Sequence, residues 1–103
     1  MIIVKVTYTV KPDFVHKNQV NINEFIQDFK KIKSNDFRYI AYIGVDKKTF
    51  IHISMYKNEI IQKELLAVQS FKSFQEQRNN SGLEISETVE VMELVGASYD
   101  IFN

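Results

Sequence analysis

His52 sits in the stretch Thr49-Phe50-Ile51-His52-Ile53-Ser54-Met55-Tyr56, where apolar and mixed positions alternate with the period of a β-strand. An imidazole titrates near neutrality, so on a half-buried strand face it can serve as a base or as a hydrogen-bond donor. Ile51, Ile53 and Met55 form one face, which the pattern assigns to the core. Phe50, His52, Ser54 and Tyr56 form the other, half polar and half aromatic, which suits the wall of a cavity. An equally ordinary role for His52 is a histidine satisfied by Thr7 or Tyr42 inside an interface.

Two neighbouring stretches supply partners for that face. Ile2, Val4, Val6, Tyr8 and Val10 alternate with Ile3, Lys5, Thr7 and Thr9, giving a strand with a buried even face and a mixed odd one. Phe37, Tyr39, Ala41, Ile43 and Val45 alternate in the same way with Arg38, Ile40, Tyr42 and Gly44. The short polar link Asp46-Lys47-Lys48 predicts a hairpin between this strand and the one bearing His52. Tyr42 and Tyr56 suit an aromatic ligand or a dry interface with a wet tip. Lys5 and Arg38 suit an anionic group or a solvated rim.

Between these strands, Val15, Ile22, Phe25, Ile26, Phe29 and Ile32 recur at helical spacing after Pro12, which predicts a helix to about Lys33 with a possible break near Asn21. Asn58 is a natural N-cap for a second helix carrying Ile61, Leu65 and Val68, and Ser70 for a shorter piece carrying Phe71 and Phe74. Val89 and Val91 begin a fourth strand, with a bulge expected between Met92 and Leu94. The order strand, helix, strand, strand, helix, strand over residues 1–103 implies one α+β domain. Its expected form is ferredoxin-like βαββαβ: a four-stranded antiparallel sheet with helices on one face. If all the apolar faces meet the helices, the open face carries Lys5, Thr7, Arg38, Tyr42, His52, Ser54 and Tyr56. Such a patch asks for cover, and a second copy of the chain is the simplest one, leaving a pocket between the sheets for a small aromatic ligand.

Composition excludes several classes. Thirteen basic and thirteen acidic residues cancel, so no net field draws in nucleic acid or an anionic membrane. With no cysteine there is no disulfide frame or thiolate chemistry, which suits the cytoplasm. The longest apolar run, Tyr39 to Val45, is far short of the roughly 20 residues of a membrane span. His16 and His52 lack a third ligand at a recognisable spacing, so no metal is expected. The three glycines, at 44, 82 and 96, never cluster into a phosphate loop.

The layout, with Tyr8-x-Val10-Lys11-Pro12, Thr49-Phe50-Ile51-His52, Ser70-Phe71-Lys72-Ser73-Phe74-Gln75 and Leu94-Val95-Gly96-Ala97-Ser98, resembles the dimeric α+β barrel superfamily. Within it the chain is most similar to small uncharacterised proteins grouped with antibiotic-biosynthesis-monooxygenase-like proteins. The resemblance implies sheet-to-sheet homodimers, with the tail Leu94 to Phe102 reaching onto the partner. It also implies a cofactor-independent oxygenase-like activity in which His52 activates or orients a substrate held between Tyr42 and Tyr56, or else a non-catalytic ligand-binding or interaction dimer. The haem-degrading branch carries an asparagine on its first strand where this chain has Thr7 and Thr9, so no haem is expected.

Overall fold

The computed structural model describes residues 1–102. Strands β1 (Ile2–Val10), β2 (Phe37–Ile43), β3 (Thr49–Tyr56) and β4 (Leu83–Met92) form one antiparallel sheet in the order β2-β3-β1-β4. Helices α1 (Val15–Lys30), α2 (Glu59–Leu66) and α3 (Gln69–Gln77) complete the ferredoxin-like α+β arrangement. A 3-10 turn at Pro12–Phe14 leads into α1, where proline suits the first turn because the missing N–H would have had no partner. No break occurs near Asn21: Asn18, Asn21, Ile22, Phe25 and Phe29 all lie on the buried stripe of one continuous helix. Asn58 caps α2, its Oδ1 accepting from the Ile61 N–H at 3.1 Å. Ser70 does not cap α3; it lies inside the helix, and its hydroxyl reaches across to Asp28 Oδ2 at 2.6 Å.

The register between strands overturns the face expected for β3. Tyr8 lies opposite Phe50, Val6 opposite His52, Val4 opposite Ser54 and Ile2 opposite Tyr56, so even-numbered residues of both strands share one side. On β2 the same side carries Phe37, Tyr39, Ala41 and Ile43. Phe50, His52, Ser54 and Tyr56 therefore face the helices and are buried. Ile51, Ile53 and Met55 face the open side. Register puts Tyr8 and Tyr39 on the same side as His52, whose ring nitrogens find their hydroxyls there, so the less regularly apolar face becomes the core. Tyr8, Val10, Phe25, Phe29, Phe50, Tyr56, Leu65, Phe71 and Phe74 make up most of that core.

The helical layer stops short of β4. Val89 and Val91 pair with Val6 and Val4, yet remain 59% and 78% exposed. The irregularity expected near Met92 to Leu94 lies instead at the other end of the strand, where pairing slips between Thr7 and Val10 as β1 meets Ile85 and Leu83. A π-helical turn, Arg78–Gly82, joins α3 to this strand. A Cβ built on Gly82 would stand 2.5 Å from the Phe14 ring, whose position is set by the first turn after β1. Gly82→Ala should consequently destabilise the fold by about 1–3 kcal/mol, read as a lower urea midpoint at unchanged slope.

Candidate functional site

The mixed composition of β3 resolves into a hydrogen-bonded cluster beneath the helices. His52 Nε2 lies 2.8 Å from the Tyr8 hydroxyl and Nδ1 lies 2.6 Å from the Tyr39 hydroxyl. Asn18, fully buried on α1, donates from Nδ2 to the Tyr8 oxygen at 2.9 Å, while its Oδ1 has no partner among the described residues. Aromatic rings enclose the imidazole. Phe25 and Phe74 stack on it with centroids 6.2 and 5.5 Å away, and Tyr39 meets it edge-on at 5.7 Å.

Arg78 closes the cluster on the α3 side. Only 3% exposed, it donates from Nη2 to Glu87 Oε2 at 2.5 Å and from Nε to Asn79 Oδ1 at 3.0 Å. Its guanidinium lies over the Tyr8 and Phe74 rings, 4.8 and 5.2 Å from their centroids. Burial, helped by the nearby Arg78 charge, pushes the His52 pKa down to about 3. Burial likewise raises the Tyr8, Tyr39 and Tyr56 phenols above their ordinary range. At neutral pH the imidazole and the phenols around it are uncharged.

Neutral groups admit two opposite directions for the chain of hydrogen bonds. In one, the Tyr8 oxygen accepts from Asn18 and its own proton goes to Nε2 of His52. Nδ1 then carries the imidazole proton and donates to the Tyr39 oxygen. The Tyr39 hydroxyl proton is left for an acceptor beyond the cluster. Turning the Asn18 amide over would reverse the chain and leave its NH2 without a partner in place of Oδ1.

His52 lines none of the three best-formed clefts among the described residues. The nearest to the cluster is a cleft of about 640 Å³ between the C-terminal end of α1 and β2, walled by Ile26, Phe29, Ile32, Phe37 and Tyr39 with Lys30, Lys33 and Arg38 among its polar residues. Tyr39 belongs both to this wall and to the cluster.

The residues singled out in the sequence thus fall into two groups on opposite sides of the sheet. His52, Ser54 and Tyr56 lie under the helices, and the Ser54 hydroxyl lies 3.5 Å from the Val4 carbonyl. Lys5, Thr7 and Tyr42 are on the open side, aligned by register with Ile53 and Ile51, while Arg38, opposite Met55 on the edge strand β2, borders the cleft beside Tyr39. The structure does not bring the two groups into one pocket. The partners expected for His52, Thr7 and Tyr42, are replaced by Tyr8 and Tyr39, which the alternation had placed in a plain apolar face. Asn18 and Arg78 were not singled out. Their signal was helical register: Asn18 is spaced with Ile22, Phe25 and Phe29, and Arg78 with Phe71 and Phe74. His16 is exposed on α1, and among the described residues no three His, Cys, Asp or Glu side chains assemble as a metal site would require.

No protein-family model matches the sequence, and no curated protein matches it. Solved structures do. An antibiotic biosynthesis monooxygenase superposes with a TM-score of 0.77 at 15% identity, covering 93% of this chain and 100% of its own. A Mycobacterium tuberculosis protein gives 0.77 at 15% identity, covering 95% and 98%. A candidate antibiotic biosynthesis monooxygenase from Nitrosomonas europaea gives 0.78 at 10% identity, covering 93% and 100%. The chain has the fold of antibiotic-biosynthesis-monooxygenase-like proteins, in agreement with the resemblance seen in its sequence. No helix among the described residues is long and apolar enough to cross a membrane.

The low pKa of His52 has a measurable consequence for stability. Between pH 6.5 and about 3 the unfolded chain takes up a proton that the folded chain refuses, so the unfolded state binds more protons and stability falls as pH falls. Urea unfolding at pH 7, 6 and 5 should show a steeper loss in the wild type than in His52→Gln, the difference approaching about 1.4 kcal/mol per pH unit. Parallel losses would mean that His52 is protonated in the folded state.

Proposed function

We propose that the chain is a homodimeric small-molecule enzyme of the cofactor-independent monooxygenase kind. Its substrate lies in the cleft between α1 and β2, and Tyr39, backed by His52, is the group that meets it. The observation that carries this reading is the 2.6 Å bond between the Tyr39 hydroxyl and His52 Nδ1, because Tyr39 also lines the cleft. The fold shared with monooxygenases points to the reaction class, though many activities use one scaffold.

In such a reaction an electron-rich aromatic substrate supplies the electrons and dioxygen is the oxidant. An activated methylene loses its protons, one oxygen atom becomes the new carbonyl and the other leaves as water. A phenol whose oxygen accepts from a neutral imidazole can donate its hydrogen bond to the developing oxyanion and stabilise it while keeping its proton, so no phenolate has to be buried. His52 is enclosed and acts through Tyr39, so it is a positioning residue.

A second reading, a non-catalytic ligand-binding or interaction dimer, is favoured by the burial of His52 between the rings of Phe25 and Phe74. Dioxygen uptake with anthrone-like and quinol-like substrates separates the two. On the first reading Tyr39→Phe lowers kcat at least about tenfold with KM little changed. Turnover unaffected by that change removes Tyr39 from the mechanism, and no uptake by the wild type supports the second reading.

Dimerisation rests on the open sheet face. Ile51, Ile53 and Met55 lie there half-buried, and Ile40 and Tyr42 remain 45% and 52% exposed. A surface with this much apolar area is most simply covered by its own copy about a two-fold axis. Sedimentation at micromolar concentration should find a dimer for the wild type and a monomer for Ile53→Arg. A monomeric wild type overturns this part of the proposal.

A further inference from the structure

We propose that the cleft between α1 and β2 selects an amphipathic organic anion, a flat apolar body carrying one carboxylate or phenolate oxygen group. The proposal rests on the reading of this cleft as the binding site and adds the charge of what it takes. A volume of about 640 Å³ falls within the usual range for small-molecule sites. Its apolar wall, with Phe29 and Phe37 as the rings, accommodates the body of such a molecule.

The charge follows from what lines the cleft and from what does not. Lys30, Lys33 and Arg38 contribute to it, and no Asp or Glu does. The nearest acids in the chain are engaged elsewhere: Asp28 with Lys31 and the Ser70 hydroxyl, Asp36 with Lys57. None of the three cations forms an ion pair among the described residues. In a chain whose charges cancel overall, three cations without an ion-pair partner among the described residues around one concavity form a local positive field.

Lys30 and Lys33 alone would be read as ordinary solvated cations at a helix C-terminus. Arg38 is different, because it comes from β2. Its Nη1 donates to the Asn35 and Phe37 carbonyls at 3.0 and 2.7 Å, and its guanidinium lies 5.5 Å from the centre of the Phe102 ring. These contacts hold the group in place, while Nε and Nη2 make no hydrogen bond to the described residues. A pre-positioned guanidinium with two free donor nitrogens is suited to a carboxylate.

The test compares 2-naphthoate with the isosteric neutral 2-naphthamide on the 15N-labelled full chain, followed by backbone amide shifts. The naphthoate should perturb residues of the Phe29 to Tyr39 region and bind about tenfold more tightly than the amide. The double variant Lys33→Gln, Arg38→Gln should abolish that preference while leaving the amide's affinity as it was. Both positions are exposed, and an unchanged spectrum elsewhere verifies the fold of the variant. Equal binding of acid and amide in the cleft overturns the anion proposal and leaves the cleft as the site. If neither ligand perturbs the cleft, both the anion proposal and the cleft reading are overturned.

Discussion

His52 can be buried in this protein because two phenols meet its two ring nitrogens. An imidazole without them would leave two polar atoms unsatisfied in an aromatic core, at a cost of about 1–3 kcal/mol each. With them, the polar centre of β3 becomes compatible with Phe50 and Tyr56 on either side of it, and the whole face can turn inward. The sheet's sidedness, the choice of core residues and the apolar character of the open face all follow from that satisfaction. Tyr8, Tyr39 and Asn18 come from β1, β2 and α1, so with His52 on β3 the cluster ties four elements together across sequence separations of 44, 13 and 10 residues.

Much of the architecture was legible in the chain. The apolar stripes of α1 and α3, the Asn58 cap, the hairpin of β2 and β3 and the inward face of β1 could all be read from periodicity and local chemistry. The face of β3 could not. Alternation says that two faces differ, and the more uniformly apolar one is the natural choice for the core. What decides is register, because a shift of one residue exchanges the two faces, and register depends on contacts between strands that no single segment records. Tyr8 and Tyr39 stood on faces already assigned to the core, so their hydroxyls were not considered as partners for His52. The cleft is similarly non-local: its wall draws on α1, on the connection after it and on β2.

The reversal changes what the open face is. It was expected to be polar at its centre, with a histidine and a serine among its cations. It presents instead Ile51, Ile53 and Met55, flanked by Ile40 and Tyr42, with Lys5 and Thr7 among them. The buried hydrogen-bonded cluster and the exposed apolar face thereby lie on opposite sides of one sheet. Asn18 Oδ1 is left without a hydrogen-bond partner among the described residues.

Phe25 touches five other rings, those of Phe29, Tyr39, His52, Phe71 and Phe74. A ring held on so many sides cannot rotate about its axis unless its neighbours draw back together, since interiors packed at this density have little free volume. The aromatic layer therefore sets a slow clock for the inside of the molecule, with ring reorientation coupled across α1, α3, β2 and β3. Tyr39 packs edge-on against Phe25, so the wall it gives the cleft is backed by this layer.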